Sequence, residues 1–256
     1  MTNVLVCIKR VPDAPSQVQL TDDAQAVDAR HVGFTVGDHE NSAIELAIRV
    51  ADATGGTVTL LTVGPAEAAD ELRSSLALGA HAAVLVEADP TTIGPSDIAH
   101  EIAQVVTAHA EAGTTYDLVL LGNDAPDTGD FQVPIRLAYA LGRPIVTGAS
   151  TVEVADGVLV AHVDNPEGEE TYTVPLPAVA SVLEGGVEPR YPTLKGRMAA
   201  KKVDIETRAT TREPQGAHRV RLLLPPPVAN TVEVLGEGPE AAGAVVDLLE
   251  RLAVVR

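Results

Sequence analysis

The chain has little of several features on which many folds depend: it contains one cysteine, no tryptophan and only 2% aromatic residues. A single cysteine, Cys7, excludes an internal disulfide framework and a metal site made of several cysteines. The seven histidines show no metal-ligand spacing, so we predict no metal site. Because aromatic side chains are scarce, the core must consist mainly of Val, Leu, Ile and Ala.

Long apolar runs are also missing from the sequence. No run approaches the roughly 18 residues that a membrane-spanning helix needs. The first ten residues, MTNVLVCIKR, place their apolar run before their positive charges, which is the reverse of a secretory signal. We therefore expect a cytoplasmic protein without a membrane span.

Positive charge is scarce, and it is unevenly placed. The net charge of −18 argues against binding to nucleic acid or to an anionic membrane. Residues 1–180 carry 26 acidic and 7 basic residues, a net charge of −19, whereas residues 181–256 carry 10 and 11, a net charge of +1. The two parts are therefore expected to face different surroundings.

The sequence does contain a regular alternation of short apolar runs and amphipathic segments. Strands are predicted at residues 3–8, 57–63, 82–86, 117–121 and 144–146. Helices are predicted between them, at residues 38–54, 66–78, 96–112 and from 132 onward. This order predicts an α/β fold in three layers, a Rossmann-like parallel sheet covered by helices on both faces.

The pattern changes after residue 148. Three short strands at 150–154, 158–163 and 170–174 predict a short antiparallel extension, and residues 176–182 predict one more central strand. Residues 14–36 and 183–227 show no strong period, and Pro12 is expected to stop regular structure.

A strand at residues 230–235 and a helix at 239–252 are expected to end the chain. We therefore divide the chain into a nucleotide-binding domain at 1–182, with the β extension at 150–175, and an extended recognition loop and C-terminal arm ending in a helix at 183–256.

The rest of the chain is organised around residues 117–141, DLVLLGNDAPDTGDFQVPIRLAYAL. A buried strand runs through a loop with glycines into a helix, which points free backbone N–H groups at the crevice beyond the strand end. Open α/β sheets bind ligands at such a crevice, and anionic groups favour the start of such a helix. The shape alone also fits an ordinary βα turn, so both interpretations stay open at this point.

The sequence lacks the common catalytic and phosphate-binding motifs. It has no G-x-x-x-x-G-K-[ST] loop, no G-x-S-x-G elbow and no G-x-G-x-x-G after the first strand. Cys7 lies in an apolar strand, where a buried and inert thiol is expected. A module that binds a nucleotide or a partner therefore fits better than an enzyme.

Four stretches, in order, resemble the β subunit of electron transfer flavoprotein. They are VLVCIKRVPD at residues 4–13, VGPAEAADELRSSLALGA at 63–80, the loop at 120–133, and residues 176–202. The last stretch contains Leu176-Pro177-Ala178-Val179, Glu188-Pro189-Arg190-Tyr191 and Ala200-Lys201-Lys202 in the family's order and spacing. The resemblance covers about residues 3–205 and implies a fold similar to that of adenine nucleotide hydrolases.

In that family the β subunit forms a heterodimer with an α subunit that holds the redox FAD. The resemblance implies an electron carrier rather than an enzyme, which binds a structural AMP, or a second FAD, and docks flavin-dependent dehydrogenases. The resemblance also implies that the nucleotide is lined by a set of residues at strand ends and helix starts: Cys7, Gly37, Asp38, His39, Glu40, Val63, Gly122, Asn123, Asp124, Ala125, Pro126, Asp127, Thr128, Gly129, Asp130, Phe131, Gln132 and Val133.

Physical reasoning refines two of these expectations. Phosphates are expected to take backbone N–H groups near residues 129–133. Because Asp127 and Asp130 would repel a phosphate, their carboxylates are expected to face away or to meet Mg²⁺.

The chain departs from the family at several of these positions. Gly37-Asp38-His39 stands where many members have Asn-Pro and an aromatic residue, and Phe131-Gln132-Val133-Pro134 keeps only Gln of an Asn-Gln-Thr-Gly pattern. The leucine that anchors acyl-CoA dehydrogenases falls near Gly186. The resemblance therefore leaves open whether AMP or a second FAD is bound.

The partner-binding surface is expected in the second part of the chain. It comprises two sets of residues. The first set holds the anchor position: Glu184, Gly185 and Gly186. The second set is a run of positive charges with no acidic residue between them: Arg190, Lys195, Arg197, Lys201 and Lys202. Such a run is typical either of a solvated face or of a docking strip for an acidic partner.

One alternative of a different class remains at the level of the sequence. Universal stress proteins are stand-alone adenine-nucleotide-binding proteins with the same β-α layout. They require a glycine-spaced phosphate loop, roughly G-x-x-G, and residues 124–129 do not supply it.

Overall fold

The computed structural model describes residues 1–13, 18–30, 32–226 and 232–254. The chain divides into two compact units, residues 1–222 and 223–256. In chain order the strands and helices are β1 (Val4–Cys7), β2 (Arg10–Asp13), β3 (Gly33–Val36), α1 (Asp38–Thr54), β4 (Val58–Gly64), α2 (Ala69–Leu76), β5 (Ala82–Glu87), α3 (Pro95–Glu111), β6 (Leu118–Gly122), α4 (Val133–Leu141), β7 (Ile145–Ala149), β8 (Thr151–Ala155), β9 (Val158–Asn165), β10 (Gly168–Pro175), β11 (Ala178–Val182), α5 (Leu194–Ala200), β12 (Ile205–Ala209) and α6 (Ala242–Arg251).

A sheet of seven parallel strands forms the centre of the first unit. Its order is β12-β5-β4-β1-β6-β11-β7, and every neighbouring pair is parallel. Because β1 lies between β4 and β6, the later strands of the sheet are added on both sides of the first strand. Such a reversal of strand order creates a crevice at the carboxyl ends of the strands.

The central strands are buried on both faces, as their unbroken apolar runs predict. On β1, Val4 and Val6 pack into the core on the side of α1 and α2, whereas Leu5 and Cys7 pack into the core on the side of α3 and α4. This alternation confirms the predicted three-layer fold, and α1 occupies the predicted residues. That helix ends because Gly55 adopts a left-handed conformation with φ 71°.

The antiparallel parts of the fold flank this sheet. Strands β8, β9 and β10 form the predicted extension, and β11 lies between β6 and β7 as predicted. Strands β2 and β3 form an unpredicted antiparallel pair, in which Pro12 is opposite Phe34. The expectation that Pro12 stops regular structure is therefore wrong; proline is tolerated in a strand that has only one partner.

Residues 183–222 contain regular structure that the sequence pattern does not predict. Helix α5 begins at a Thr193 cap, and Arg73 of α2 donates to the carbonyls of Ala200 and Val203 at its end. Strand β12 then pairs with β5 and forms the seventh strand of the sheet. Domain division at residue 182 stays a prediction.

The second unit contains α6, none of whose residues is buried. Of the strand predicted at 230–235, residues 230 and 231 lie outside the described residues, and 232–235 form no strand. Among the described residues, no helix is long and apolar enough to cross a bilayer.

Candidate nucleotide site

The candidate site lies where three neighbouring parallel strands end. Cys7 on β1 is level with Leu61 on β4 and with Leu121 on β6. Cys7, Val63 and Gly122 therefore lie at one edge of the sheet, and burial raises the pKa of the Cys7 thiol. The start of α1 and the loop before α4 close this edge, so the structure brings the predicted nucleotide residues together.

Helix α1 begins with negative side chains at its positive end. Gly37 is the N-cap, in an extended conformation, and no side chain caps the helix there. Asp38 and Glu40 lie in the first turn, where the helix dipole stabilises carboxylates. Asp38 is exposed, whereas Glu40 is only 4% exposed.

The buried Glu40 carboxyl fits between two glycines. A Cβ on Gly37 would lie 2.4 Å from Glu40 Oε2, and a Cβ on Gly122 would lie 2.8 Å from Glu40 Cδ. Burial raises the pKa of Glu40 to about 7, although its own backbone N–H and the charges of His39 and Lys9 work in the opposite direction. Within the described residues, Glu40 Oε2 is buried and has no hydrogen-bond partner.

The loop between β6 and α4 is fastened to β1 by Lys9. The Lys9 ammonium lies 2.6 Å from Asp127 Oδ1 and donates to Thr128 Oγ1 at 3.1 Å. The Asp127 carboxylate therefore meets a cation supplied by the protein. Lys9 is absent from the predicted site, although its place directly after the first strand could have indicated it.

Asn123 fastens the other end of this loop to β11. Its backbone N–H donates to the Val182 carbonyl at 3.0 Å, and its side-chain oxygen accepts a bond from the Ser181 hydroxyl at 2.7 Å. Ser181 is fully buried and also absent from the predicted site. No local pattern marks it, because its partner lies 58 residues earlier in the chain.

His39 connects the loop to the segment that follows β11. His39 Nδ1 lies 2.9 Å from Asp124 Oδ1, and its Nε2 contacts the Glu184 carboxylate. The His39 imidazole therefore contacts both Asp124, a predicted nucleotide-binding residue, and Glu184, a predicted partner-binding residue. The predicted nucleotide site and the predicted docking segment are adjacent in the fold.

The last part of the loop has an unusual backbone. Gly129 and Phe131 both have φ of 56°, and Phe131 is 52% exposed. A side chain as large as Phe is rarely found in this left-handed region, and strain of this kind is often found at binding sites. In the first turn of α4, the Arg136 N–H donates to the Gln132 carbonyl and Pro134 has no N–H, so Val133 and Ile135 supply the N–H groups at the helix start. Among the described residues, no cluster of side chains could hold a metal ion.

Comparison with known proteins shows the family of the chain. Residues 26–212 match the family model of the electron transfer flavoprotein domain. A protein of Syntrophomonas wolfei named electron transfer flavoprotein subunit beta is 33% identical over 236 residues, which are 91% of this chain and 90% of the relative. This chain belongs to the family of electron transfer flavoprotein β subunits.

Other electron transfer flavoprotein β subunits give the same result. That of Mycobacterium leprae is 35% identical over 213 residues, 80% of this chain and 78% of the relative. That of Bacillus subtilis is 32% identical over 261 residues, 99% of each chain. The resemblance noted from four short stretches is confirmed, and with it a role in electron transport.

The segment predicted to dock partners of this electron transfer flavoprotein β subunit is partly committed to its own fold. Arg190 donates through Nε to Glu45 Oε2 at 2.6 Å and through Nη2 to Glu45 Oε1 at 3.2 Å. Arg49 also donates to Glu45, which is 4% exposed. The Arg190 charge is thus balanced within the subunit, and its role in partner binding stays a prediction.

Gly186, near the position of the anchor leucine, has no room for a side chain. A Cβ there would lie 2.0 Å from the Ser150 carbonyl oxygen. Beside this glycine, a cavity of about 910 Å³ opens between β3, α1, α2 and residues 184–192, and its carboxylates include Asp70 and Glu188. Farther along the chain, Lys195, Arg197, Lys201 and Lys202 are exposed.

Proposed function

We propose that this chain is the β half of a heterodimer whose α subunit holds the redox FAD. In this assembly the chain relays electrons from flavin-dependent dehydrogenases to an acceptor as a carrier subunit rather than as a separate enzyme. It also binds an adenine nucleotide, AMP or the AMP moiety of a second FAD, at the carboxyl ends of β1, β4 and β6. A cytoplasmic location stays a prediction from the sequence.

The crevice at the end of β6 is the observation that carries the nucleotide proposal. The Glu40 side chain packs against the backbone of Gly37 and Gly122 at this crevice, and Lys9 fixes its loop. Asp124 and Asp127 are each turned toward a basic group of the protein, which offsets their repulsion of a phosphate. The N–H groups of Val133 and Ile135 at the start of α4 would hold the phosphate. Glu40 Oε2, which has no hydrogen-bond partner among the described residues, would receive a donor from the ligand.

A bound flavin would supply electron transfer, and the residues of this chain would position it. The crevice offers backbone N–H groups and orienting side chains, which are what such a role requires. The universal-stress-protein alternative gains no support, because no comparable observation favours it and the family match covers most of the chain.

The surface around Gly186 would face the redox partners. The exposed positive charges of α5 and the residues after it would guide an acidic partner, because such charges mainly raise association rates. Because Gly186 packs against the Ser150 carbonyl, this conformation has no room for an anchoring side chain at position 186. The partner contact would therefore rest on neighbouring residues.

The nucleotide proposal is tested by identifying what the purified protein releases. The chain is co-expressed with an α subunit, purified as the complex, denatured, and the released nucleotides are separated by chromatography and counted by absorbance. We expect either one AMP and one FAD, or two FAD, per heterodimer.

A variant distinguishes the nucleotide site of this chain from the FAD site of the α subunit. Lys9→Ala releases the loop before α4 and is expected to lower the content of the nucleotide held by this chain, while FAD of the α subunit is retained. A native complex that releases one FAD and nothing else would overturn the nucleotide proposal, and a chain that forms no complex with any α subunit would overturn the heterodimer.

A further inference from the structure

We infer that the nucleotide binds with the Glu40 carboxyl in its neutral form, so that nucleotide binding and the uptake of one proton by Glu40 are coupled. This inference rests on the proposed nucleotide site and describes its regulation by pH. Glu40 lies at the start of α1. Its carboxyl therefore occupies the positive end of a helix dipole that could otherwise bind a phosphate.

The position of the Glu40 carboxyl is built into the fold. Its Oε2 and Cδ atoms approach the backbone of Gly37 and Gly122 so closely that neither position has room for a Cβ. These two glycines belong to the helix start and the strand end that frame the crevice. The carboxyl is therefore held inside the candidate site, buried, with one oxygen that has no partner among the described residues.

The basic side chains around Glu40 already contact other carboxylates. Lys9, after β1, lies 2.6 Å from Asp127 of the loop, and His39, on α1, is flanked by Asp124 and Glu184. Asp38 adds a further negative charge on the first turn of α1. No cation among the described residues is therefore dedicated to Glu40, whose pKa burial raises to about 7.

A nucleotide adds negative charge to this surrounding. A phosphate monoester carries about −1.5 to −2 charges at neutral pH. A like charge nearby disfavours the ionised carboxyl, so the bound nucleotide holds Glu40 neutral to a higher pH than the free protein does. The neutral carboxyl donates its O–H to an acceptor of the ligand, and its other oxygen accepts from a ligand hydroxyl or amine.

The proton balance gives the experiment. Above pH 7 the Glu40 carboxyl of the nucleotide-free chain is mostly ionised. On average, binding one nucleotide therefore takes up a fraction of a proton equal to that ionised fraction. In the full-length chain stripped of nucleotide, calorimetry of AMP binding at pH 7.5 in two buffers of different ionisation enthalpy is expected to report uptake of about half to three quarters of a proton. The AMP dissociation constant is expected to rise about tenfold between pH 7.0 and 8.5.

Two variants isolate Glu40 from the other titrating groups. Glu40→Gln keeps the shape and hydrogen-bonding capacity but cannot titrate, so it is expected to bind AMP with no uptake at this position and with a flat affinity over the same range. The phosphate of AMP, with its second pKa near 6, titrates equally in both experiments and cancels in the comparison. Asp52→Asn, an exposed carboxyl farther along α1 and outside the nucleotide site, is expected to behave like the native protein.

The outcomes distinguish the inference from the proposed function. AMP binding to the native chain at pH 7.5 without proton uptake overturns the inference, whether or not the Gln variant folds. The same pH dependence in native protein and Glu40→Gln also overturns it. A native chain that binds AMP at no pH between 6 and 8.5 overturns the proposed nucleotide site itself.

Discussion

At the scale of single residues, Glu40 lowers the stability of the protein that contains it. Burial raises its pKa from 4.5 to about 7, so the folded state holds the proton more tightly than the unfolded state. The folded state therefore loses stability as pH rises from about 4.5 to 7 and regains none above that range. We predict that Glu40→Gln raises the free energy of unfolding of the nucleotide-free chain by about 3 kcal/mol at pH 8.

The same substitution should have little effect at pH 4.5, where the carboxyl is neutral in the folded state and only half ionised in the unfolded state. Urea unfolding at the two pH values measures the difference. Asp38→Asn is the control, because an exposed carboxylate at a helix start changes stability by well under 1 kcal/mol in the other direction. If Glu40→Gln changed the free energy of unfolding by the same amount at both pH values, burial would not be what raises the pKa of Glu40.

At the scale of elements, helix α3 holds the segment that follows β12. Asp97 accepts bonds from the backbone N–H groups of Gln215 at 2.9 Å and Gly216 at 3.0 Å. Glu101 accepts from the backbone and the hydroxyl of Thr211. Burial works to raise the pKa of Asp97, but the N–H groups outweigh it, so the pKa lies below its usual value. This attachment is therefore present at neutral pH and weakens as pH falls through that lowered pKa.

We predict that Asp97→Ala detaches this segment while the sheet stays folded. Hydrogen bonds to a charged group contribute about 1.5–3 kcal/mol, so tryptic cleavage at Arg212 and Arg219 should become about tenfold faster at pH 7.5. Ser96→Ala, one residue earlier on the same helix turn, should leave the cleavage rate unchanged. Equal cleavage rates in the two variants would show that the segment is held by other contacts.

At the scale of the whole molecule, charge is separated along the chain. The first 180 residues carry a net charge of −19, whereas the remainder carries +1. Much of the positive charge that remains free in the second part is on and after α5, because Arg190 is paired with Glu45. Rim charges of this kind alter association rates more than affinities.

We predict that Lys201→Glu together with Lys202→Glu slows association with an acidic redox partner about fivefold at low ionic strength, with little effect at high salt. Stopped-flow flavin reduction of the heterodimer at two salt concentrations measures this. The matched pair Lys201→Gln and Lys202→Gln changes the charge by half as much and should give an intermediate rate. Unchanged rates at low salt would leave the lysines as a solvated face.

The sequence by itself determined the central sheet and most of its helices. Apolar residues at helical spacing and stops such as Gly55 located α1 and α3, because the period of a segment records which of its faces is buried. Buried runs located β1, β4, β5 and β6 for the same reason. The order of these elements implied parallel pairing, and parallel pairing placed the strand ends, and thus the predicted nucleotide residues, at one edge.

Only the tertiary structure decided which distant groups meet. Arg190 pairs with Glu45, 145 residues earlier, and Gly216 binds Asp97 across 119 residues. Strand β12 likewise depends on the exposed edge of β5, and no period in residues 205–209 indicates this. A local pattern carries information on burial but none on the partner of a charge or of a strand edge, because that partner is selected by how the chain closes over long separations. The burial of the Glu40 carboxyl is a consequence of the same closure, since the crevice around it is formed only when α1, β1 and β6 meet.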